Sequence, residues 1–84
     1  MICHIDCSDI ANARQLHEKL SRFLNFPQWY GNNLDALYDC ITELSSPIRL
    51  YLSHWDHSSA WAAGFEAVFA DAQDHCPELT VIYE

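Results

Sequence analysis

Positive charge is scarce in this chain, and its distribution argues against one broad class of function. The sequence has four Lys and Arg residues against twelve Asp and Glu, and its net charge is −8. Arg49 is the last basic residue, and no Lys or Arg follows it. Direct binding to nucleic acid needs basic side chains that neutralise phosphates, so we expect none here. A basic protein partner fits this charge, although acidity can also serve solubility alone.

Glycine and long apolar runs are scarce as well. Two glycines leave no Gly-rich loop of the kind that cradles a phosphate, and no nucleophile motif is present. No apolar run is long enough to cross a membrane, and the first residues lack the basic and apolar regions of a signal peptide. The sequence therefore predicts a cytoplasmic protein that binds no membrane, and no pattern in it indicates a cofactor.

Four cysteines are present, but their positions do not indicate a disulfide framework. Without a secretory signal, reduced thiols are expected. Two groups of residues resemble fragments of a metal site, namely Cys3 with Cys7, and His54 with Asp56 and His57. Neither group has an evident set of four ligands, so ordinary core and surface positions are the favoured interpretation, and no metal site is predicted.

Apolar periodicity divides the chain into strands and helices that alternate. The predicted elements are a strand at 2–5, a helix at about 12–24, a helix from 32 or 33 to about 44, a strand at 48–52, a helix from 61 to about 76 and a strand at 79–83. Strands separated by helices favour a small parallel sheet. We therefore expect one α/β domain over residues 1–84, with helices mainly on one face of the sheet.

Details of three elements can also be predicted. Asn12 is expected to cap the first helix, whose core stripe is Leu16, Leu20 and either Phe23 or Leu24. His17 on the same helix is interpreted as an ordinary residue without a special role. The strand at 48–52 alternates too weakly for a one-face strand, which predicts cover on both sides. Gly64 predicts a break or kink in the last helix.

The second helix carries acidic side chains on one face and no bases. Asp35, Asp39 and Glu43 follow one another at intervals of four residues, opposite an apolar stripe. Like charges at this spacing destabilise a helix by roughly 0.2–0.5 kcal/mol. Three interpretations are open: a solvated helix face, an acid–base pair in an enzyme, or a docking surface for a cationic site. The docking surface is the interpretation that best accounts for the acids and the turn before the helix together.

Two aromatic residues stand in that turn, directly before Gly31. Aromatic residues beside a tight turn usually plug the core, and this is the expectation for Tyr30. For Trp29 both burial and exposure stay open, since neighbouring residues in an extended turn point in different directions. If it is exposed, an aromatic beside an acidic stripe is typical of an interface anchor.

Residues 29–40, Trp-Tyr-Gly-Asn-Asn-Leu-Asp-Ala-Leu-Tyr-Asp-Cys, closely resemble a signature of the barstar family, Tyr-Gly-x-Asn-Leu-Asp-Ala-Leu-Trp-Asp-Cys. The family consists of intracellular inhibitors of barnase-type ribonucleases, and the resemblance extends over nearly the whole chain. It implies a three-stranded parallel sheet with packed helices. It also implies that the acidic helix and the turn before it occlude the basic active site of a small ribonuclease or RNase toxin domain.

The resemblance also assigns roles to residues. Asp39 matches the acid that occupies the place of an RNA phosphate, Asp35 matches a second acid that contacts the nuclease, and Asp71 matches an acid on the last helix. Trp29 takes the place of a tyrosine that stacks on a catalytic histidine. The implied partner-binding residues are Trp29, Gly31, Asn33, Asp35, Tyr38, Asp39 and Asp71.

Some positions depart from the family pattern. Trp29 and Tyr38 exchange aromatic types, and Asp71 is one methylene shorter than the family's glutamate. A family tryptophan just after the acidic helix has no counterpart, because Glu43 and Leu44 occupy that region. The prediction is a non-catalytic inhibitor whose binding surface is tuned to a nuclease different from barnase. The alternative is a small metal-binding or regulatory module that uses Cys3 and Cys7 or the loop at 54–57.

Overall fold

The computed structural model describes residues 1–44 and 46–84. In this part of the chain three strands and three helices follow the order β1 (Ile2–Asp6), α1 (Ala13–Phe23), α2 (Leu34–Thr42), β2 (Ile48–Ser53), α3 (Ala62–His75) and β3 (Leu79–Tyr83). The predicted α/β class is confirmed. All six predicted elements are present, with bounds that differ by a few residues.

The three strands form one parallel sheet with β2 in the centre. Cys3 of β1 lies opposite Leu50 of β2, which in turn lies opposite Val81 of β3. Because the strands are parallel, their carboxyl ends share one edge of the sheet and their amino ends share the other. The ends of α2 and α3 return the chain to the amino edge, where Ile48 and Leu79 begin the next strands.

One face of the sheet carries the core. Cys3, Ile5, Leu50 and Leu52 point into the helical layer and are at most 8 % exposed. On the opposite face of β2, Arg49 is exposed and the burial along the strand alternates. The prediction that residues 48–52 are covered on both sides is therefore wrong. The partly apolar side chains on the second face contact neighbours within the sheet, as in the stack of Tyr51 on His4 with ring centroids 4.5 Å apart.

Helix α1 begins as predicted. The Asn12 side chain accepts a hydrogen bond of 3.0 Å from the Gln15 backbone N–H, which stabilises the first turn. Of the two candidates for the end of the core stripe, Leu24 is buried at 3 % exposure and Phe23 is 49 % exposed. The stripe therefore continues from Leu20 by four residues rather than three.

His17 is not the ordinary residue that the sequence indicated. It is the one buried polar side chain in the described part of the chain, at 3 % exposure. Its Nδ1 atom is hydrogen-bonded to the Tyr30 hydroxyl at 2.5 Å, and its ring lies 4.7 Å from that of Phe65 on α3. The prediction is wrong because α3, which is distant in sequence, covers this side of α1.

The predicted break at Gly64 is also wrong, since α3 continues through it without interruption. A Cβ atom at Gly64 would lie 2.8 Å from Cδ1 of Leu34 on α2. Because glycine has no side chain, α2 and α3 can approach each other closely at this point. The close approach accounts for a glycine inside the helix, although glycine lowers the helix propensity there.

No disulfide or metal site is found among residues 1–44 and 46–84. All four cysteines are free, and no group of three or more potential metal ligands converges. In the loop after β2, His54 pairs with Asp6, whereas His57 pairs with Glu66 of α3. No helix in these residues is long and apolar enough to cross a membrane.

Candidate functional site

Helix α2 is fixed at its start by a side-chain cap. Asn33, in extended backbone conformation, accepts a hydrogen bond of 2.8 Å from the Ala36 backbone N–H. Three inward residues, Leu37, Cys40 and Ile41, are at most 4 % exposed. Because this face is anchored in the core and α3 packs along its side, the opposite face of α2 points into solvent.

That outward face consists of Asp35, Asp39 and Glu43, which are all exposed, as predicted. None of the salt bridges between described residues involves any of the three. The negative field of the face affects its surroundings. Burial raises the pKa of the Cys40 thiol, and the neighbouring Glu43 and Asp39 carboxylates raise it further.

The chain's own bases lie on other elements. On α1, Arg14 contacts Glu18 at 3.1 Å and Lys19 contacts Asp9 at 2.7 Å. Arg49 is on β2, on the face of the sheet away from the helices. The acidic face is therefore left available to cations from another molecule.

The turn before α2 presents one aromatic ring and buries the next. Trp29 is 65 % exposed, whereas Tyr30 is 8 % exposed. Burial raises the pKa of Tyr30, and its hydroxyl holds the buried His17. Phe26 lies beside it, with ring centroids 4.9 Å apart. Tyr30 thus ties the turn to the core, as the sequence predicted, and Trp29, which the sequence left open, lies at the surface.

Gly31 is packed against the cap of α2. The Asn33 side-chain amide donates to the Gly31 carbonyl at 3.4 Å, and a Cβ at Gly31 would lie 2.9 Å from that amide nitrogen. The next residue, Asn32, has a φ of 51°, a left-handed conformation that Asn tolerates better than most residues. The turn therefore has room for glycine at position 31 and little room for a larger residue.

Tyr38 and Asp71, the remaining two of the residues expected to bind a partner, lie toward α3. Tyr38 is half-buried, and its ring centroid lies 6.4 Å from that of His75 near the end of α3. Asp71 is exposed on α3, the helix that packs against α2. Its side chain makes no hydrogen bond to the acids of α2 within the described residues. The candidates thus occupy the turn, the outer face of α2 and the neighbouring helix.

Sequence reasoning missed one residue that supports this site, namely His17. The local signal for it was weak, because a histidine beside an apolar stripe on a helix is compatible with either exposure or burial. Its partners, Tyr30 and Phe65, are 13 and 48 residues further along the chain, so only the fold brings them together.

Comparison with known protein families shows to which family the chain belongs. A family model described as "Barstar (barnase inhibitor)" matches residues 1–83. The chain belongs to the barstar family. The resemblance inferred from residues 29–40 is thereby confirmed.

A curated protein of similar length also matches the chain. It is a protein of Bacillus subtilis (strain 168) named "Putative ribonuclease inhibitor YrdF". The two are 39 % identical over 86 aligned residues, which cover 95 % of this chain and 94 % of that protein. The similarity therefore extends across the whole barstar-family domain and is not confined to the α2 signature.

Proposed function

We propose that this barstar-family chain inhibits a small basic ribonuclease or RNase toxin domain by covering its active site. The observation that carries the proposal is the outer face of α2, where Asp35, Asp39 and Glu43 are exposed and bound to no base within the described residues. The names of the matching family and of the Bacillus subtilis relative point to the same class of partner.

The chemistry of inhibition follows from the carboxylates. A ribonuclease binds RNA phosphates with Arg, Lys and His side chains, and a carboxylate offers the same donors two negatively charged oxygens. We assign Asp39 to the phosphate position because the barstar resemblance implies that role, and its place at the middle of the acidic face is compatible with it. Asp35 and Asp71 contact further basic groups of the nuclease around it.

Trp29 supplies the apolar part of the interface. At 65 % exposure it has a large surface to lose on binding, and an indole ring stacks well on a histidine or arginine. The buried Tyr30 below it keeps the turn in place. Gly31, Asn33 and Tyr38 complete the contact surface in this proposal. The inhibitor acts in the cytoplasm of its own cell, as an antitoxin or immunity protein.

Exposure of the acids favours this function over an acid–base enzyme. General acid–base catalysis needs a carboxylate whose pKa is shifted by a pocket shielded from water. Asp35 and Asp39 instead stand on the solvent side of a helix. The metal-binding alternative has no supporting contact in the described residues, because the histidines of the loop at 54–57 pair with separate acids.

The test is inhibition of RNA cleavage. Purified chain is titrated into barnase and, in parallel, into ribonucleases captured on the chain from lysate of its own source cell. We expect loss of activity at a 1:1 ratio with at least one of them. If RNA cleavage continues undiminished in both series at excess inhibitor, the proposed function is wrong.

The substitution Asp39→Ala tests whether the acidic face of α2 is the surface that binds the ribonuclease. Truncation of one partner of a desolvated charge pair costs about 2–5 kcal/mol, a range drawn from interfaces that include barnase–barstar. We expect a loss of binding free energy of that size by calorimetry. The control is Glu84→Ala, which removes the same charge from the carboxyl edge of the sheet. Equal effects of the two substitutions would show that Asp39 has no special place in the complex.

A further inference from the structure

A hollow of about 340 Å³ lies at the amino edge of the sheet, where both α2 and α3 end. Its walls are mainly apolar and include Ile41, Leu44, Ile48, Cys76 and Leu79, with Glu78 at the rim. This volume is at the small end of the range for cavities that bind ligands, about 300–1,000 Å³. It is large enough for one long side chain and too small for a whole helix or strand.

The electrostatics of this hollow favour a cation. The carboxyl end of a helix carries partial negative charge. Two helices end here, α2 at Thr42 and α3 at His75; α2 has no basic residue in its last turn, whereas α3 has His75. At the end of α2 the Tyr38 carbonyl accepts from Thr42 Oγ1 and the Thr42 carbonyl accepts from Cys76 Sγ, and each oxygen keeps a second lone pair. No Lys or Arg lines the hollow, whereas Glu78 and His75 do. A mainly apolar space is thus bordered by one carboxylate, the carbonyl ends of two helices and one imidazole.

The hollow is continuous with the face proposed to bind the nuclease. Leu44 lines it and directly follows Glu43, the last acid of the α2 face. On the other side, His75 lines it and lies beside the ring of Tyr38. A protein that covers α2 and Tyr38 therefore also reaches the mouth of the hollow.

We propose that the hollow receives one Lys or Arg side chain of the ribonuclease. Such side chains combine an apolar stem with a charged head, which matches apolar walls under a negative rim. The stem packs against Ile41, Leu44 and Leu79, and the head donates to the Glu78 carboxylate and the carbonyls that end α2. This inference rests on the proposed function and extends the acidic face to a second anchoring point.

The first experiment compares Glu78→Gln with Glu84→Gln in complexes with barnase, or with the captured ribonuclease if that is the one inhibited. Both variants lose one negative charge, so long-range attraction decreases equally in both. An ion pair at an exposed rim gives a small effect, so we expect Glu78→Gln alone to increase the dissociation rate by about 2- to 5-fold. Stopped-flow or surface-plasmon measurements give this rate directly.

The second experiment uses Cys76 as a reporter. Cys3, Cys7 and Cys40 are at most 8 % exposed, whereas Cys76 is half-buried and lines the hollow. Iodoacetamide should therefore alkylate Cys76 first in the free chain, and Cys76→Ala verifies the site of labelling. We expect binding of the nuclease to slow this alkylation by about tenfold or more.

The outcomes separate this inference from the proposed function. Protection of Cys76 together with faster dissociation of Glu78→Gln supports the hollow as an anchoring point. If the complex forms, Asp39→Ala weakens it and Cys76 still reacts at the rate of the free chain, the hollow is not used and the proposed function stands. If no ribonuclease is inhibited at all, the proposed function itself fails, and this inference fails with it.

Discussion

The hydrogen bond between His17 and Tyr30 joins helix α1 to the turn that presents Trp29. Both side chains are buried, so neither can exchange its partner for water. Loss of one partner leaves a buried polar group unsatisfied, which costs about 1–3 kcal/mol. We expect Tyr30→Phe to lower the free energy of unfolding by that amount, measured by urea denaturation. A cost below about 0.5 kcal/mol would mean that the bond contributes little to stability.

The same contact predicts how stability depends on pH. Burial lowers the pKa of His17 from its usual 6.5, so the folded chain keeps the imidazole neutral while the unfolded chain takes up a proton. Stability from this residue is therefore complete above the unfolded pKa and is lost as pH falls below it, by up to about 1.4 kcal/mol per pH unit. Carboxylates with a lowered pKa, such as Glu66, lose their contribution to stability only when the pH falls below the usual carboxyl pKa of 4.5.

Unfolding free energies at about pH 7.5 and about pH 5.5 measure this effect. The control is His17→Gln, which can still hydrogen-bond Tyr30 but does not titrate. We expect the wild-type chain to lose more stability between the two pH values than the variant does. Equal losses would show that His17 does not cause the pH dependence.

At the scale of a helix, the cap of α2 and the turn before it form one unit. The Asn33 amide lies within 2.9 Å of the position that a Cβ would take at Gly31, so Gly31→Ala displaces the cap. Removal of an N-cap costs about 0.5–2 kcal/mol. We expect Gly31→Ala to be destabilising by itself and much less so in an Asn33→Ala background.

A double-mutant cycle on urea-unfolding free energies gives this coupling. We expect an interaction energy of at least about 0.5 kcal/mol between positions 31 and 33. The matched control combines Gly31→Ala with Asn12→Ala, which removes the equivalent cap of α1. Positions 31 and 12 share no contact, so the losses of unfolding free energy caused by the two substitutions should add. Additivity in both cycles would show that Gly31 acts independently of the cap.

The elements that the sequence predicted correctly are those with strong local signals. Asn12 caps α1 as predicted, because a short polar side chain before an apolar stripe is a local feature, and α2 is capped by Asn33, one of the two asparagines between which the sequence did not decide. The errors concern contacts between distant segments. Gly64 lies in a continuous helix because Leu34 packs against it, and His17 is buried because α3 covers it. No periodicity within one segment contains that information.

The site was predictable in a similar way. Exposure of Asp35 and Asp39 followed from the helical period, whereas the turn left the direction of the Trp29 side chain open. The hollow at the ends of α2 and α3 was not predictable, because it is formed by two stretches of chain far apart in sequence, one that includes Leu44 and Ile48 and one that spans 75–79.

For the whole molecule, the main electrostatic feature is a net charge of −8 with the few bases away from α2. A basic nuclease is attracted over distances beyond contact, and added salt screens this attraction. We expect the association rate constant to fall by about 10-fold or more between low salt and about 1 M salt. This range comes from measured cases that include the barnase–barstar complex. An association rate that does not depend on salt would contradict electrostatic steering.

Exposure of Trp29 also has a spectroscopic consequence. Of the three tryptophans, Trp55 and Trp61 lie in contact with each other in the body of the molecule, and Trp29 alone is largely in water at 65 % exposure. The chain therefore carries its own fluorescent label within the proposed interface. Contact with a partner would shift the emission of Trp29 to shorter wavelength, and Trp29→Phe would abolish that shift while the internal pair continued to emit unchanged.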